Sequence, residues 1–156
     1  MLAPVGEPLR TLELADGRTL GQLMDSRPRV AWAVKAVADL VRVHKPDMVL
    51  VDDNGQSRTL IAPLEAEGVK VTRTNTADMV AACGNLFDRV VDGRFAHLGQ
   101  AALTAAVEAA RQRDLGDGWA WHRRLSGGDI TPLVAVTLAA HGVERPAKKR
   151  AALVVR

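Results

Sequence analysis

From Asp117 to His141 the chain reads DGWAWHRRLSGGDITPLVAVTLAAH, and the second half of that stretch dictates one element and its start. Proline at a first helical position, with Thr131 just before it, marks a helix start, because the first N–H groups of a helix have no partner inside it. The apolar run over 132–141 is therefore expected to be a helix, closed by Gly142. Asp129 stands at its mouth, where the positive end of the helix dipole keeps a carboxylate ionised. Ahead of it Trp119, Trp121, Arg123 and Arg124 run into the pair Gly127-Gly128.

A second acidic feature lies far upstream. Met48-Val49-Leu50-Val51 is a short, continuously apolar run of the kind buried on both faces of a parallel sheet. Asp52 and Asp53 follow it directly, before Asn54-Gly55. Around it, residues 9–14 alternate as a short strand and 15–18 form a D-G turn. Residues 20–28 fit neither pattern. A helix is expected over 29–43, with apolar Val30, Ala33, Val34, Val37, Leu40 and Val41 opposite a polar stripe of Lys35, Asp39 and Arg42. Trp32 is expected at its edge, and Lys45-Pro46 ends it.

Further helices are expected over 57–67, closed by Gly68 and interrupted by Pro63, then over 78–91, closed by Asp92-Gly93, and over the alanine-rich 100–113. A short strand is expected over 69–72. Strands alternating with helices imply an α/β layered domain with right-handed crossovers, its sheet at 48–52 and 69–72 covered by the helices at 29–43 and 100–113. Residues 1–8, with two prolines, read as a loose arm, 9–143 as the domain, and 144–156 as a basic, solvated tail.

A chain of 156 residues accommodates one domain with a proper core. No run is long and apolar enough to span a bilayer, and no signal pattern opens the sequence, so no membrane partner is expected. Cys83, the single cysteine, lies in the apolar pattern Met79, Cys83, Leu86, Val90 and reads as a buried hydrophobe in a reducing, cytoplasmic compartment. A net charge of +3 permits contact with a phosphate backbone without requiring it. Trp119 and Trp121 read as structural, Arg123 and Arg124 as phosphate contacts, and His97, His122 and His141 as surface or capping residues.

Carboxylates at a strand end and at a helix start suit hard divalent cations, which take oxygen ligands. Asp52, Asp53 and Asp129 are accordingly the candidate ligands and catalytic acids, Asp52 first because it continues the strand. Each has a simpler reading. Asp52-Asp53 before Asn54-Gly55 is also good turn chemistry, and Asp129 is also a helix cap.

The stretches PDMVLVDDNGQSRTLIAPLEAEGVKVTRT, AACGNLFDRVVDGRFAHLGQAALTAAVEAARQRDLGDGWAWHRR and GGDITPLVAVTLA, in this order and spacing, resemble the C-terminal nuclease domain of large terminase subunits from actinobacterial phages and prophages. The resemblance covers residues 29–143. It implies an RNase H-like fold, and a site of three acids holding two Mg²⁺ or Mn²⁺ ions about 4 Å apart, which together activate a water and stabilise the leaving oxygen of a phosphodiester. It also implies double-stranded DNA as substrate, cut from concatemers for packaging. The implied partners are a separate terminase ATPase part, the small terminase subunit or the portal.

Two features of that family have no counterpart. No GxxxxGK[ST] loop is present. No acid-bearing strand precedes residue 9, where Glu7, Glu13 and Asp16 are the early acids. The chain is thus expected to be a fragment of a longer protein, or a split or decayed gene product, with one weakly held ion. Two functions stay open: a metal-dependent DNA endonuclease domain, or a non-catalytic assembly or DNA-binding module of the same fold. A Rossmann-like nucleotide binder ranks behind both for want of a glycine-rich strand-to-helix loop.

Overall fold

The computed structural model describes residues 9–13, 19–23 and 32–144. In chain order these form β1 (Leu9–Glu13), β2 (Thr19–Leu23), α1 (Ala33–His44), β3 (Val49–Asp52), a 3-10 turn (Gln56–Leu60), α2 (Ile61–Ala66), β4 (Val71–Thr74), α3 (Thr76–Val91), β5 (Phe95–His97), α4 (Ala101–Ala109), β6 (Gln112–Leu115), β7 (Gly118–Trp121) and α5 (Thr131–Glu144). The expected arm at 1–8, the turn at 15–18 and the tail from 145 onward lie outside the described residues; Glu144, assigned to the tail, is the last residue of α5.

The strands make three small sheets. β1 and β2 pair antiparallel, with β5 added parallel to β2. β3 and β4 pair in parallel, Val49 opposite Val71 and Asp52 opposite Thr74. β6 and β7 form an antiparallel hairpin. The mixed α/β class expected from the alternation of elements is what the chain adopts, in several short sheets rather than one broad one.

The expected parallel pair is present, with two corrections. Its second strand starts at Val71 rather than Val69, because the Val69 N–H is used in closing α2, donating to Leu64 O at 3.0 Å. Its cover is α1 and α2, whose Ala38, Ile61 and Leu64 form a core with Val51 and Val69. The helix near 100 packs on α5 instead. Burial on both faces is reached only at Val51 and Asp52; Val49 and Leu50 are half-covered.

Helix ends follow their caps. α3 begins earlier than expected because Asn75 and Asp78 form a reciprocal box: Asn75 Oδ1 accepts from the Asp78 N–H at 3.0 Å, and Asp78 Oδ2 from the Asn75 N–H at 2.9 Å. Pro63 falls in the first turn of α2, where its missing N–H costs nothing, and Gly68 at φ 79° closes the helix as expected. On α1 the polar stripe is real: Asp39 accepts from Lys35 at 3.2 Å and pairs with Arg42.

The reading of 100–113 as one helix does not hold. α4 stops at Ala109, Ala110 is extended, and 112–115 is β6. Alanine content carried the reading too far, whereas the two-residue Gly116-Asp117 turn, with Gly116 at φ 62°, is the local sign of the hairpin. β2 runs from Thr19 into the stretch that fits neither pattern, and no alternation over Phe95–His97 marks β5 in the sequence.

α5 organises the rest. It is buried nearly all round: Leu133, Val136 and Ala140 pack with Leu86, Leu103 and Ala106, while Val134 and Leu138 pack with Met79, Ala82, Cys83, Ala120 and Ile130. Its length also touches β1, β2 and the start of β3. Gly142, expected to end the helix, lies inside it. A Cβ there would meet Leu50 Cδ1, and Met48 Sδ at 3.3 Å, so the glycine marks the close approach of β3. No helix among the described residues is long and apolar enough to cross a membrane.

Among the described residues β3 has a partner on one side only, leaving the N–H and C=O groups of its other edge without a strand. The isolated chain is expected to self-associate through this edge. Sedimentation velocity over a concentration series should show a dimer or larger species growing in; a single monomer boundary at high concentration would contradict this.

Candidate functional site

The C-terminal end of β3 is where the chemistry collects. The pairing with β4 continues one residue past the strand, the Asp53 N–H donating to Thr74 O at 3.0 Å and Thr74 Oγ1 donating to Val51 O at 3.3 Å. Thr74 is wholly buried, so this end of the strand is held from below. Beyond it the chain turns. The Asn54 N–H donates to Asp52 Oδ1 at 3.0 Å and Ser57 Oγ donates to Asp52 O at 3.0 Å. The turn chemistry read from Asp-Asp-Asn-Gly is therefore present, and it belongs to Asp52.

Asp52 is also a buried charge, 6 % exposed. A carboxylate so placed requires a cation or several donors. Arg123 supplies the cation: its Nη2 donates to Asp52 Oδ2 at 2.6 Å, a short charge-assisted bond between residues 71 apart in sequence. Gly55 makes room for it, since a Cβ at that position would lie 2.5 Å from Arg123 Nη1 and 3.0 Å from Asp52 Oδ2. A predicted ligand and a predicted DNA contact are thus bonded to each other.

Asp53 points elsewhere. Its Oδ1 is shielded from solvent and makes no hydrogen bond, although Arg58 Nε stands 3.3 Å away as an ion-pair partner. Arg58 was not singled out from the sequence, and nothing in its local pattern distinguishes it from a surface arginine. Arg124 is exposed.

The segment that delivers Arg123 also carries Asp129, and it is pinned at several points. The His122 N–H donates to Arg111 O at 2.6 Å, and Ser126 Oγ donates to His122 O at 2.8 Å. The Gly127 N–H donates to Ala109 O at 3.0 Å, tying the segment to the end of α4. Asp129 Oδ1 accepts from the Thr131 N–H at 2.9 Å, so its helix-capping reading is realised. No group of three or more His, Cys, Asp or Glu side chains among the described residues is arranged to hold a metal ion. Asp52, Asp53 and Asp129 are accordingly not gathered into one cluster in this arrangement. The donor type suits Mg²⁺ or Mn²⁺, and Asp53 has an unfilled acceptor, but the set as placed does not fit a two-ion centre.

The aromatic residues beside this segment are structural. Trp121 Nε1 donates to Thr137 Oγ1 at 2.9 Å, and the hydroxyl of Thr137, wholly buried on α5, donates in turn to Leu133 O at 2.7 Å. Trp119 meets Trp121 edge-on at 4.9 Å and Phe87 at 6.1 Å. His97 and His122 accept from the N–H groups of Gly99 and Leu125, the capping role expected of them. His141 is not a surface residue: its side chain is 12 % exposed and its Nε2 stands 3.9 Å from Asp78 Oδ1.

These elements define a mixed α/β domain of small sheets, with a buried carboxylate at a strand end facing a long-range arginine. Its fold is similar to the crystal structure of the HK97 bacteriophage large terminase, with a TM-score of 0.72 at 14 % identity, over 86 % of this chain and 36 % of that one. At that identity the likeness is one of fold, and the chain spans little more than a third of the terminase's length. The sequence matches no protein-family model, and no curated protein matches it.

Cys83 lies under this region, fully buried on α3. Burial pushes its thiol pKa up, with the Trp121 backbone and the Arg123 charge pulling the other way. Because the folded thiol holds its proton more tightly than the unfolded one, this contribution to stability is present below the ordinary thiol range and is lost as pH rises through the folded value. A thiol reagent at pH 8 is expected to label Cys83 only as fast as the protein unfolds. Rapid stoichiometric labelling of the native protein would place the thiol at the surface.

Proposed function

We propose that this chain is the nuclease-type domain of a phage large terminase, acting on double-stranded DNA during genome packaging with Mg²⁺ or Mn²⁺ as its ions, in the cytoplasm of a bacterial host. The observation that carries this reading is the likeness of fold to a phage large terminase over most of the chain. The carboxylates at the end of β3 support it, standing where an open α/β sheet presents its ligands. Asp52 and Asp53 are the strand-end acids of this reading and Asp129 the helix-start acid. Arg123 and Arg124 serve as phosphate contacts, for which the planar guanidinium fork is suited. A divalent ion would supply an activated water and charge stabilisation at the phosphodiester. ATP-driven translocation would come from another part or chain, as would contacts with the small terminase subunit or portal.

A second reading has its own observation. Asp52 is closed by an arginine and no third acid joins Asp53, which is what a DNA-binding or assembly module that retains the fold without the chemistry would show.

Plasmid nicking separates the two. On the nuclease reading, supercoiled plasmid is nicked in Mg²⁺ or Mn²⁺ but not after chelation, and Asp129→Asn abolishes the activity. Asparagine caps a helix as well as aspartate does, so that variant removes charge while keeping the cap. Activity that survives chelation or Asp129→Asn would contradict the metal-nuclease reading. Duplex binding in a mobility-shift assay without nicking under any divalent ion would establish the second.

A further inference from the structure

The arrangement at the end of β3 raises a question that the acids alone do not: what is the cation of Asp52? The carboxylate is almost entirely out of water and both of its oxygens are engaged, Oδ1 by the Asn54 N–H and Oδ2 by Arg123. Arg123 is the reverse case, with 44 % of its side chain exposed. One face of its guanidinium thus meets a buried oxygen while the rest reaches solvent. It lies over Gly55, where a Cβ would stand 2.5 Å from its Nη1. The segment carrying it is tied to the last residue of α4 by the Gly127 N–H and to Arg111 by the His122 N–H and Ser126 Oγ, so the arginine is delivered to this place by ordered backbone.

We propose that Arg123 is the resident cation of Asp52 and closes that carboxylate to divalent ions. The inference rests on the reading of Asp52 as a metal ligand and says how the ligand is controlled. Guanidinium and a divalent ion need the same oxygen. They also repel each other at contact distance, so occupancy by one excludes the other. The ion pair keeps a buried charge neutralised without a metal, and it opens only when the guanidinium is drawn off toward another anion. The candidate of matching chemistry is a phosphate, which accepts the same bidentate fork as a carboxylate.

The gate can be opened in two independent ways. Arg123→Gln removes the cation from an exposed side chain. Gly55→Ala removes no charge, and its backbone at φ −107° accommodates alanine, but the new Cβ, 2.5 Å from Arg123 Nη1 and 3.0 Å from Asp52 Oδ2, wedges between the two and pushes hardest on the guanidinium. Mn²⁺ binding to the whole chain, followed by the loss of the free-ion electron paramagnetic resonance signal, reads out the site without any activity. Both variants are expected to bind Mn²⁺ about tenfold or more tighter than the wild type. The gain should vanish when Asp52→Asn is added to either variant. If the wild type binds Mn²⁺ through Asp52 as tightly as both variants do, the gate is overturned while Asp52 stands as a ligand. If neither variant binds Mn²⁺ at all, the metal reading of Asp52 fails and the gate with it.

Discussion

The structure depends on burying one helix on every side. α5 carries apolar residues around its whole circumference, and a helix of that kind is stable only when surrounded. Its neighbours are α3 and α4 on their packed faces, β7 beside Ala120, and the strands β1, β2 and β3 along its length. Because it touches all three sheets, it holds together strands that share no hydrogen bonds. Two of its residues that break the apolar pattern are accounted for by their neighbours, while His141 stands near Asp78 with its Nδ1 shielded and without a hydrogen bond. Thr137 is satisfied by Trp121 and Leu133, and Gly142 admits Leu50 and Met48. An unsatisfied hydroxyl at the first place would cost about 1–3 kcal/mol, a large fraction of a domain's stability.

What could be read from the residues beforehand divides along a physical line. Features written locally were legible: the start of α5 from Thr131-Pro132, the closing turn at Gly68, the parallel strand at Met48–Val51 and the burial of Cys83. Features written by tertiary contact were not. The alanine run near 100 satisfies helix propensity well past Ala109, and only pairing with β7 turns residues 112–115 into a strand. Gly142 resembles a helix terminator until β3 is seen against it. Asp52 and Arg123 were each singled out, as ligand and as phosphate contact, but no sequence pattern joins residues 71 positions apart. His141 reads as a surface residue because its partner, Asp78, belongs to a different helix and to that helix's cap.

The site follows from the same geometry. A buried carboxylate at a strand end is costly, and this chain offsets the cost with an arginine rather than leaving it for an ion. Asp53, one residue on, keeps an acceptor unfilled beside the exposed Arg58. Asp53 already lies in the turn that follows the strand, so the two acids have different partners. Each of the pair has its own arginine, Arg123 at Asp52 and Arg58 at Asp53. Asp129 holds the start of the buried helix, so its carboxylate serves the fold whatever else it serves.

The claim on which these points converge is that the Asp52–Arg123 ion pair fastens the segment before α5 to the end of β3. A double-mutant cycle on stability measures that fastening directly, using Asp52→Asn, Arg123→Gln and the double variant in urea-induced unfolding. The account predicts a coupling free energy of about 1 kcal/mol or more, each single change costing most of what the double costs. Effects that simply add, within about 0.3–0.5 kcal/mol, would contradict it.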